Sequence, residues 1–412
     1  MRSKTIVPRQ RLLLVCITAV AFALLVFLES VRRTNSITTA DANGCVLQHI
    51  QAPTNSGSDL DSAVSVRSRA HVEQASFCNL LAQLTFAEHL VVPEIQFEGG
   101  VPYSLYVYNA GNTVSSDIIA TKVWEAEGTR QALWALKLVE TMRGKDRAGF
   151  LDIGANIGWW SLAVAAHDYK VAAVEASPRN QAIFRHSLCD MDSKLAVNVD
   201  LYAMGVGSEE DVCEVLVHRG NTGNAMLRCQ KTIAPTETRL FGSSEPHPVP
   251  GAGRDVMFDY QATVRINTLD QLFGNNGGNL QIGAFGVMKL DVEGLEPAVV
   301  LGGDKEFFAN GNGPPLVLME FNRYMLSTAG RDPADILKMW AKHGYSISLE
   351  VFFPEAPAFT EDKVTTAAVF SKFGKSKFVD PVQLDEWARD TPFKDVFVIH
   401  NDFLKHVHNQ QF

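Results

Sequence analysis

The sequence has no cluster of basic residues beyond its first residues, and its 46 acidic side chains outnumber its 37 basic ones, for a formal net charge of −9. Because nucleic-acid binding requires a concentrated positive surface, this class of partner is excluded. Low-complexity and collagen-like stretches are also missing, and a hydrophobic content of 46% is too high for intrinsic disorder. The 412 residues suffice for one large domain with extensions or for two ordinary domains.

Cysteine is scarce, with six residues that form neither a C-x-x-C pair nor the spacing of a zinc finger. One of them, Cys16, lies in an apolar run near the N-terminus. In an oxidising compartment one disulfide could form, for example within Cys189, Cys213 and Cys229. Buried free thiols are the alternative, and the sequence does not assign a pairing. The remaining cysteines are Cys45 and Cys78.

An uncharged apolar run extends from Leu12 to Leu28 and predicts a transmembrane signal anchor. Positive charges are more numerous before this run than after it, which predicts a cytosolic tail at residues 1–11 and a lumenal location for the rest of the chain. A cleaved secretory signal is the alternative, although no clear small-residue cleavage site follows the run. The short span favours the thinner membranes of the endoplasmic reticulum or Golgi.

Residues 34–76 are rich in Ser, Thr, Ala, Asn and Asp without sustained periodicity, so we predict a flexible stem. We assign residues 80–412 to one domain. Its lead-in, residues 80–148, includes a strand at Tyr103–Tyr108 and a helix at Glu127–Met142. A polar stretch near residues 207–264, rich in Gly, Pro and Ser, is interpreted as an insertion that forms either a functional lid or an ordinary surface loop.

After Gly149, short apolar segments alternate with turns and helical patterns, which is typical of an α/β fold. This pattern predicts a mainly parallel, seven-stranded sheet with helices on both faces. The predicted strands are Phe150–Ile153, Val171–Glu175, Val197–Ala203, Gly286–Leu290 and Leu316–Glu320, followed by weaker ones near Ile347–Phe352 and Val396–His400.

The first of these strands continues into the Gly-rich turn D-I-G-A-N-I-G, and a helix is expected from about Trp159. Gly154 and Gly158 allow the backbone to turn sharply and to approach a ligand closely. A dinucleotide site requires G-x-G-x-x-G, but Asn156 stands where the second glycine belongs. An acid at Asp152 suits a positively charged ligand better than a pyrophosphate, and S-adenosylmethionine carries a sulfonium and an ammonium group.

The second strand ends in Glu175, at the spacing expected of a βαβ unit. A carboxylate in this place can accept hydrogen bonds from both ribose hydroxyls of an adenosyl group. The combination of Asp152, the turn and Glu175 therefore indicates a site for S-adenosylmethionine. A βα turn without a ligand is the structural alternative.

Between Pro102 and Phe352 the chain resembles the FkbM-type S-adenosylmethionine-dependent methyltransferases. The resemblance rests on F-L-D-I-G-A-N-I-G at Phe150–Gly158, V-E-A-S-P-R-N at Val174–Asn180, T-L-D-Q-L at Thr268–Leu272, M-K-L-D-V-E-G-L-E at Met288–Glu296, L-M-E-F-N at Leu318–Asn322 and K-V-W-E at Lys122–Glu125. One departure is Ala176, where many members have Pro. The resemblance implies a Rossmann-like class I methyltransferase fold that transfers a methyl group, typically to a hydroxyl.

The resemblance also assigns the cofactor to seven residues of this sequence. It implies that the methionyl part contacts the turn and that Glu175 binds the ribose. Ser177 and Asn180 would line the adenosyl side less directly. The residues assigned to the methionyl part are Asp152, Gly154, Asn156 and Gly158.

The predicted catalytic residues are Lys289, Asp291, Glu293 and Glu320. Lys289 and Asp291 are two positions apart on a strand and so share a face, and Asp291 lies at the carboxyl end, where open α/β sheets bind ligands. In-line transfer to a hydroxyl requires loss of its proton, which a carboxylate can accept while Lys289 offsets developing negative charge. A purely structural Lys289–Asp291 ion pair is the alternative.

No set of metal ligands stands out around these residues, so we predict no bound metal. A magnesium ion held by Asp291 and neighbouring acids would be a different way to activate the hydroxyl, by lowering its pKa.

Together these observations predict a membrane-anchored O-methyltransferase that acts on a hydroxyl of a glycan or glycoconjugate. The alternatives are a lipid or small secondary metabolite as the acceptor, and a cofactor-binding scaffold without activity. The segment Asn221–Asn224 either shapes the acceptor site or forms a plain turn. Three tryptophans either stack on the acceptor or pack in the core, namely Trp124, Trp159 and Trp160.

Overall fold

The computed structural model describes residues 74–81, 88–218, 221–229, 247–248, 257–274, 283–328, 332–373 and 378–410. The chain divides into two units, residues 1–59 and 60–412, and every described residue belongs to the second unit. The predicted tail at 1–11, the anchor at 12–28 and nearly all of the stem at 34–76 therefore lie outside the described residues. Among the described residues, no helix is both long and apolar enough to span a membrane.

The strands occur in this order along the chain. They are β1 (His89–Ile95), β2 (Tyr103–Tyr108), β3 (Gly149–Ile153), β4 (Val171–Glu175), β5 (Val199–Ala203), β6 (Gly205–Val206), β7 (Asp211–His218), β8 (Asn221–Cys229), β9 (His247–Pro248), β10 (Met257–Asn267), β11 (Phe285–Leu290), β12 (Leu316–Asn322), β13 (Tyr345–Ser348) and β14 (Phe393–His400).

Helices connect and cover the strands. They are α1 (residues 74–81), α2 (Thr113–Thr121), α3 (Ala126–Arg143), α4 (Trp159–Ala165), α5 (Pro178–Asp190), α6 (Ser193–Ala196), α7 (Leu269–Phe273), α8 (Glu296–Leu301), α9 (Arg323–Thr328), α10 (Asp335–Lys342), α11 (Lys363–Phe370), α12 (Asp385–Asp390) and α13 (Asn401–His408). Short 3-10 turns lie at Lys145–Arg147, Ala309–Gly311 and Pro381–Leu384.

Seven strands form the main sheet in the order β13-β14-β12-β11-β3-β4-β5. The neighbours from β12 to β5 are parallel, whereas β14 runs antiparallel to both β12 and β13. The predicted mainly parallel sheet is confirmed, and its antiparallel edge makes it mixed. The chain moves outward from β3 through β4 and β5 and then returns to β11 on the other side of β3. Ligands of open α/β sheets bind where the strand order reverses in this way.

Alternate side chains of the central strands enter two separate cores. Phe150 and Val287 pack on one face with apolar residues of α3, α4 and α5. Their chain neighbours Leu151 and Met288 pack on the other face with residues of α7, α8 and α10. Because successive strand residues point to opposite faces, both faces must be apolar, and the sheet is covered by helices on each side.

The stretch at 207–264 was expected to be an irregular insertion, and its described part is instead a second sheet. Strands β6, β10, β7 and β8 pair in that order, with β9 at the edge of β10. All residues of β7 from Cys213 to Val217 are buried, and Cys213, Val215 and Val217 form one apolar cluster with Val264 and Ile266 of β10. The polar, Gly- and Pro-rich segment beside β7 obscured this strand in the sequence.

The strand expected near Ile347–Phe352 is shorter than predicted, because pairing with β14 ends at Ser348. Beyond that point the backbone is bound by a side chain: Gln131 of α3 donates to the carbonyl of Phe353 at 2.9 Å and accepts from its N–H at 2.8 Å. These bonds satisfy the buried backbone without a neighbouring strand. The apolar pattern here therefore reflects burial among aromatic rings rather than sheet formation.

Four cysteines form two disulfides, Cys78–Cys189 and Cys213–Cys229. The alternative of free thiols is wrong for these four residues. The second bridge joins directly opposed residues of β7 and β8. The first closes a separation of 111 residues, which explains why the sequence did not indicate Cys78 as a partner.

Candidate functional site

The turn after β3 requires glycine at two positions. Gly154 has φ +85°, and a Cβ there would lie 1.7 Å from the carbonyl oxygen of Asp291. Gly158 has φ +91°, and a Cβ there would lie 2.4 Å from the ring of Phe184. Asn156 also has positive φ, 53°, a conformation that Asn tolerates better than most residues. The missing side chains let β3 and β11 approach each other at the point where the strand order reverses.

Asp152 is completely buried beneath this turn. Its Oδ2 accepts a hydrogen bond of 2.6 Å from the Ser161 hydroxyl, and its Oδ1 has no hydrogen-bond partner among the described residues. Burial raises the pKa of the Asp152 carboxyl, and the nearby Lys289 ammonium partly opposes that rise. Its predicted contact with the methionyl part of a cofactor remains a prediction.

Glu175 ends β4 and faces the turn. Its Oε2 accepts from the Asn156 N–H at 2.8 Å, and its Oε1 accepts from the Ser177 N–H at 2.7 Å. Burial raises the pKa of Glu175 to about 7, although these hydrogen bonds favour the charged form. Two backbone donors therefore fix the carboxylate, and Oε2, which accepts one of them, retains a lone pair that can accept a hydroxyl.

Ser177 and Asn180 extend this arrangement at the start of α5. The Ser177 hydroxyl donates to Gln261 of β10 at 2.8 Å, which links the main sheet to the second sheet. Asn180 accepts from the Tyr108 hydroxyl at 2.8 Å and donates to Glu175 at 3.4 Å. The predicted adenosyl-side residues therefore surround the same carboxylate.

Lys289 and Asp291 share one face of β11 and its carboxyl end, as their spacing predicted. The Lys289 Nζ donates to Asp291 Oδ2 at 2.9 Å and to the Gly154 carbonyl at 3.3 Å. Burial by itself lowers the pKa of Lys289, but Asp291, Asp152 and Glu125 together raise it above its usual value. The ammonium is thus permanently charged, and it joins the ion pair to the Gly-rich turn.

Two glutamates follow Asp291 and differ in their surroundings. Glu296 accepts from the N–H groups of Val292 and Gly294, at 2.9 and 3.3 Å, and so holds the turn in place. Glu293 has φ 55°. Burial and the adjacent acids Asp291 and Glu296 raise the pKa of Glu293 to about 8.

Glu320 and Glu125 line the same cavity as Asp291 and Glu293 but belong to other parts of the fold. Glu320 lies on β12, and its Oε2 is buried without a hydrogen-bond partner among the described residues. Burial and the neighbouring acids, Asp291 first, raise the pKa of Glu320 to about 11. Glu125 precedes α3, accepts from the Trp160 indole N–H at 2.7 Å, and has its pKa raised by burial.

These residues line two adjoining depressions. We call the first the Glu175 cleft; its lining is Ile153, Gly154, Asn156, Val174, Glu175, Ala176, Ser177, Asn180, Met204, Gly205, Val206, Ala225, Leu227, Asp291, Val292 and Glu293. We call the second the Trp160 cavity; its lining is Thr113, Val114, Trp124, Glu125, Ala155, Asn156, Ile157, Trp159, Trp160, Asn221, Lys289, Asp291, Glu293 and Glu320.

The two depressions share Asn156, Asp291 and Glu293. Predicted cofactor residues line the Glu175 cleft, and all the predicted catalytic residues line the Trp160 cavity. Asp152 and Gly158 line neither of them. The arrangement provides two binding spaces that meet at a group of acids, which is what transfer of a group between two bound molecules requires.

Sequence reasoning did not single out Glu125, although the K-V-W-E segment that contains it was noted. Glu125 lies far along the chain from the other acids, and no local pattern indicates that the start of α3 faces β11. Asn221 also lines the Trp160 cavity, and it begins strand β8 rather than a plain turn. Its Oδ1 accepts from the N–H of Thr113 at 3.2 Å.

Among the described residues, one group of three His, Cys, Asp or Glu side chains has ligand atoms within 4.8 Å of one another, namely Asp211, Cys213 and Cys229. Both cysteines are in a disulfide, so their sulfurs are not available as thiolates. The prediction that the protein binds no metal stays a prediction.

A mixed α/β sheet with a Gly-rich turn after its first central strand and an acid at the end of the next is the class I methyltransferase architecture. Residues 152–347 match the family model described as Methyltransferase FkbM domain. Residues 152–347 therefore carry an FkbM methyltransferase domain, and the resemblance seen in the motifs is confirmed there.

No curated protein gives a sequence match. Among solved structures, the chain is similar to the precorrin-6y C5,15-methyltransferase from Geobacter metallireducens GS-15, at 12% identity over 68% of this chain and 91% of that one. The TM-score of this superposition is 0.29.

Proposed function

We propose that the protein is an S-adenosylmethionine-dependent O-methyltransferase, anchored in a membrane of the secretory route, that methylates a hydroxyl of a glycan or glycoconjugate. The observation that carries the reaction is the meeting of the Glu175 cleft and the Trp160 cavity at Asn156, Asp291 and Glu293. One space suits the adenosyl group and the other suits an acceptor, so the reacting atoms would meet at their common wall.

The residues of the Glu175 cleft fit S-adenosylmethionine. The fixed Glu175 carboxylate suits the ribose hydroxyls, and Gly154 brings the turn against the backbone of Asp291, so that both line the same cleft. The unpaired, buried oxygen of Asp152 adds negative potential beneath the turn, which favours a cation. When bound, S-adenosylmethionine supplies an electrophilic methyl group.

The acids of the Trp160 cavity provide a route for the acceptor proton. Glu293 borders both spaces, and because its pKa is about 8, its ionised form is a stronger base than an ordinary carboxylate and can accept the proton of the acceptor hydroxyl. Asp291, held by Lys289, would orient the hydroxyl, and the ammonium would offset negative charge developing on its oxygen. Glu320, with a pKa of about 11, keeps its proton and would donate a hydrogen bond to the acceptor.

The proposed membrane location and the proposed glycan acceptor are supported by different observations. Two disulfides are typical of proteins that fold in an oxidising lumen. The apolar run at residues 12–28 would supply the anchor. Tryptophans beside carboxylates, as in the Trp160 cavity, suit a sugar, because the indoles pack against its C–H faces and the carboxylates bind its hydroxyls.

Calorimetric titration of the full-length protein with S-adenosylmethionine, and separately with NAD, tests the cofactor. We expect micromolar binding of S-adenosylmethionine alone. Glu175→Gln should weaken it at least about tenfold, because an amide replaces one of the two acceptor oxygens. Glu386→Gln, on the exposed surface of α12, is the matched control. Absence of binding to a folded protein would contradict the proposal.

A further inference from the structure

The titratable groups that line the Trp160 cavity are four carboxyls and one ammonium. Glu125, Asp291, Glu293 and Glu320 line it, and Lys289 is the only cationic side chain among its described lining residues. The acids come from four separate parts of the fold: the start of α3, the end of β11, the turn that follows it, and β12. The Lys289 ammonium and the Trp160 indole N–H favour the charged form of Glu125, so Glu125 and Asp291 together outweigh the single ammonium, which restricts which acceptors can enter.

Lys289 is not free to bind an anion. Its Nζ already donates to Asp291 and to the Gly154 carbonyl, at 2.9 and 3.3 Å, and the Trp160 ring lies 5.8 Å from it. A carboxylate or sulfate in the cavity would lose its water without gaining a cation, and Asp291 would repel it. Burial of an unpaired charge is among the costliest changes in a protein site.

An uncharged hydroxyl group, in contrast, finds hydrogen-bond partners in the cavity. Burial and the neighbouring acids raise the pKa of Glu320 to about 11, so this carboxyl carries a proton near neutral pH and can donate as well as accept. The unpaired Oε2 of Glu320 is available to such a partner. The indoles of Trp124 and Trp160 add apolar faces.

We propose, as a refinement that rests on the function proposed above, that the acceptor is an uncharged sugar and that Glu125 determines the specificity of the Trp160 cavity by excluding acceptors that carry a carboxylate or sulfate. Glu125 need not touch the transferred methyl group for this role, because its effect is electrostatic and acts on the choice of acceptor.

A uronic-acid-containing oligosaccharide pool, divided into an untreated half and a carboxyl-reduced half, tests this specificity with the same sugars in both arms. The readout is transfer of radiolabelled methyl from S-adenosylmethionine by the full-length protein. We expect the reduced pool to accept at least about tenfold more methyl, since juxtaposed like charges cost several kcal/mol. Equal or greater labelling of the acidic pool would overturn the proposal.

Variants separate charge exclusion from general loss of activity. Glu125→Gln should lower the ratio of neutral to acidic transfer, whatever its effect on the absolute rate. Glu320→Gln replaces a protonated carboxyl with an uncharged amide, and Glu127→Gln changes a half-exposed residue in the first turn of α3, so both should leave the ratio unchanged. An unchanged ratio in Glu125→Gln would show that Glu125 does not set the specificity.

The outcomes also separate this proposal from the function on which it depends. If calorimetry shows bound S-adenosylmethionine but neither pool is labelled, the glycan acceptor is wrong and the specificity is overturned with it. If S-adenosylmethionine does not bind, the reaction class itself fails.

Discussion

At the scale of single residues, Gly154 shows how a backbone position without a side chain creates the site. A Cβ there would overlap the carbonyl oxygen of Asp291 at 1.7 Å, so any other residue would push β3 and β11 apart. Gly99 has a similar φ of +80°, but nothing lies within 4 Å of the position its Cβ would take. Comparing Gly99 with Gly154 therefore separates the energetic cost of a positive φ from the cost of steric overlap.

We expect Gly99→Ala to lower the free energy of unfolding by about 1–2 kcal/mol, the cost of a left-handed conformation with a Cβ. Gly154→Ala should lower it by at least about 4 kcal/mol, because overlap with backbone is added. Denaturant unfolding of both variants measures the difference. Equal effects would show that the contact between the Gly154 turn and Asp291 is not close.

Glu293 should make stability depend on pH. The pKa of Glu293 is raised from 4.5 to about 8 by burial and adjacent acids, so the folded protein binds this proton more tightly than the unfolded chain. Its contribution to stability is therefore complete at low pH and is lost as the pH rises from about 4.5 to about 8.

Glu293→Gln removes this titration. The variant should become more stable relative to the wild type as the pH rises between 6.5 and 8, by at most about 1.4 kcal/mol per pH unit. Chemical unfolding at several pH values in this window measures the change. A difference that is constant with pH would contradict the raised pKa.

At the scale of elements, the hairpin β7–β8 is connected to the Glu175 cleft. Its strand β8 contributes Ala225 and Leu227 to the lining, and its two strands are joined by Cys213–Cys229. The second disulfide, Cys78–Cys189, instead joins α1 to the last turn of α5. The two bridges should therefore differ in their effect on cofactor binding.

Replacing both cysteines of either bridge with Ala should lower the free energy of unfolding by about 2–4 kcal/mol. Only the Cys213/Cys229 variant should also weaken binding of S-adenosylmethionine severalfold, since loosening β8 disturbs one wall of the cleft. Unfolding experiments and calorimetry on both double variants distinguish these effects. Equal loss of affinity would argue against a special role for the hairpin.

At the scale of the whole molecule, the proposed topology makes the catalytic domain lumenal. In intact microsomes, protease added outside should shorten the protein by no more than its N-terminal tail, and detergent should make the rest accessible. Digestion of the domain without detergent would contradict the orientation inferred from the charges around residues 12–28.

The sequence determined the features that depend on neighbouring residues. Short apolar segments that alternate with turns and helical patterns predicted the central strands, and the combination of Asp152, the Gly-rich turn and Glu175 predicted a cofactor site around that turn. Gly154 and Gly158 could be recognised from the sequence because a sharp turn of this kind requires residues without side chains in any fold. Lys289 and Asp291 were placed on one face by their spacing alone.

The tertiary structure decided what depends on residues far apart in the chain. The antiparallel position of β14, the bridge between Cys78 and Cys189, and the place of Glu125 beside Lys289 all arise from long-range packing. The pKa values of Glu293 and Glu320 likewise depend on burial and on acids from other elements. The local sequence pattern does not encode these long-range distances. The sequence therefore indicates a methyltransferase domain, whereas only the folded chain determines which charges meet in the Trp160 cavity.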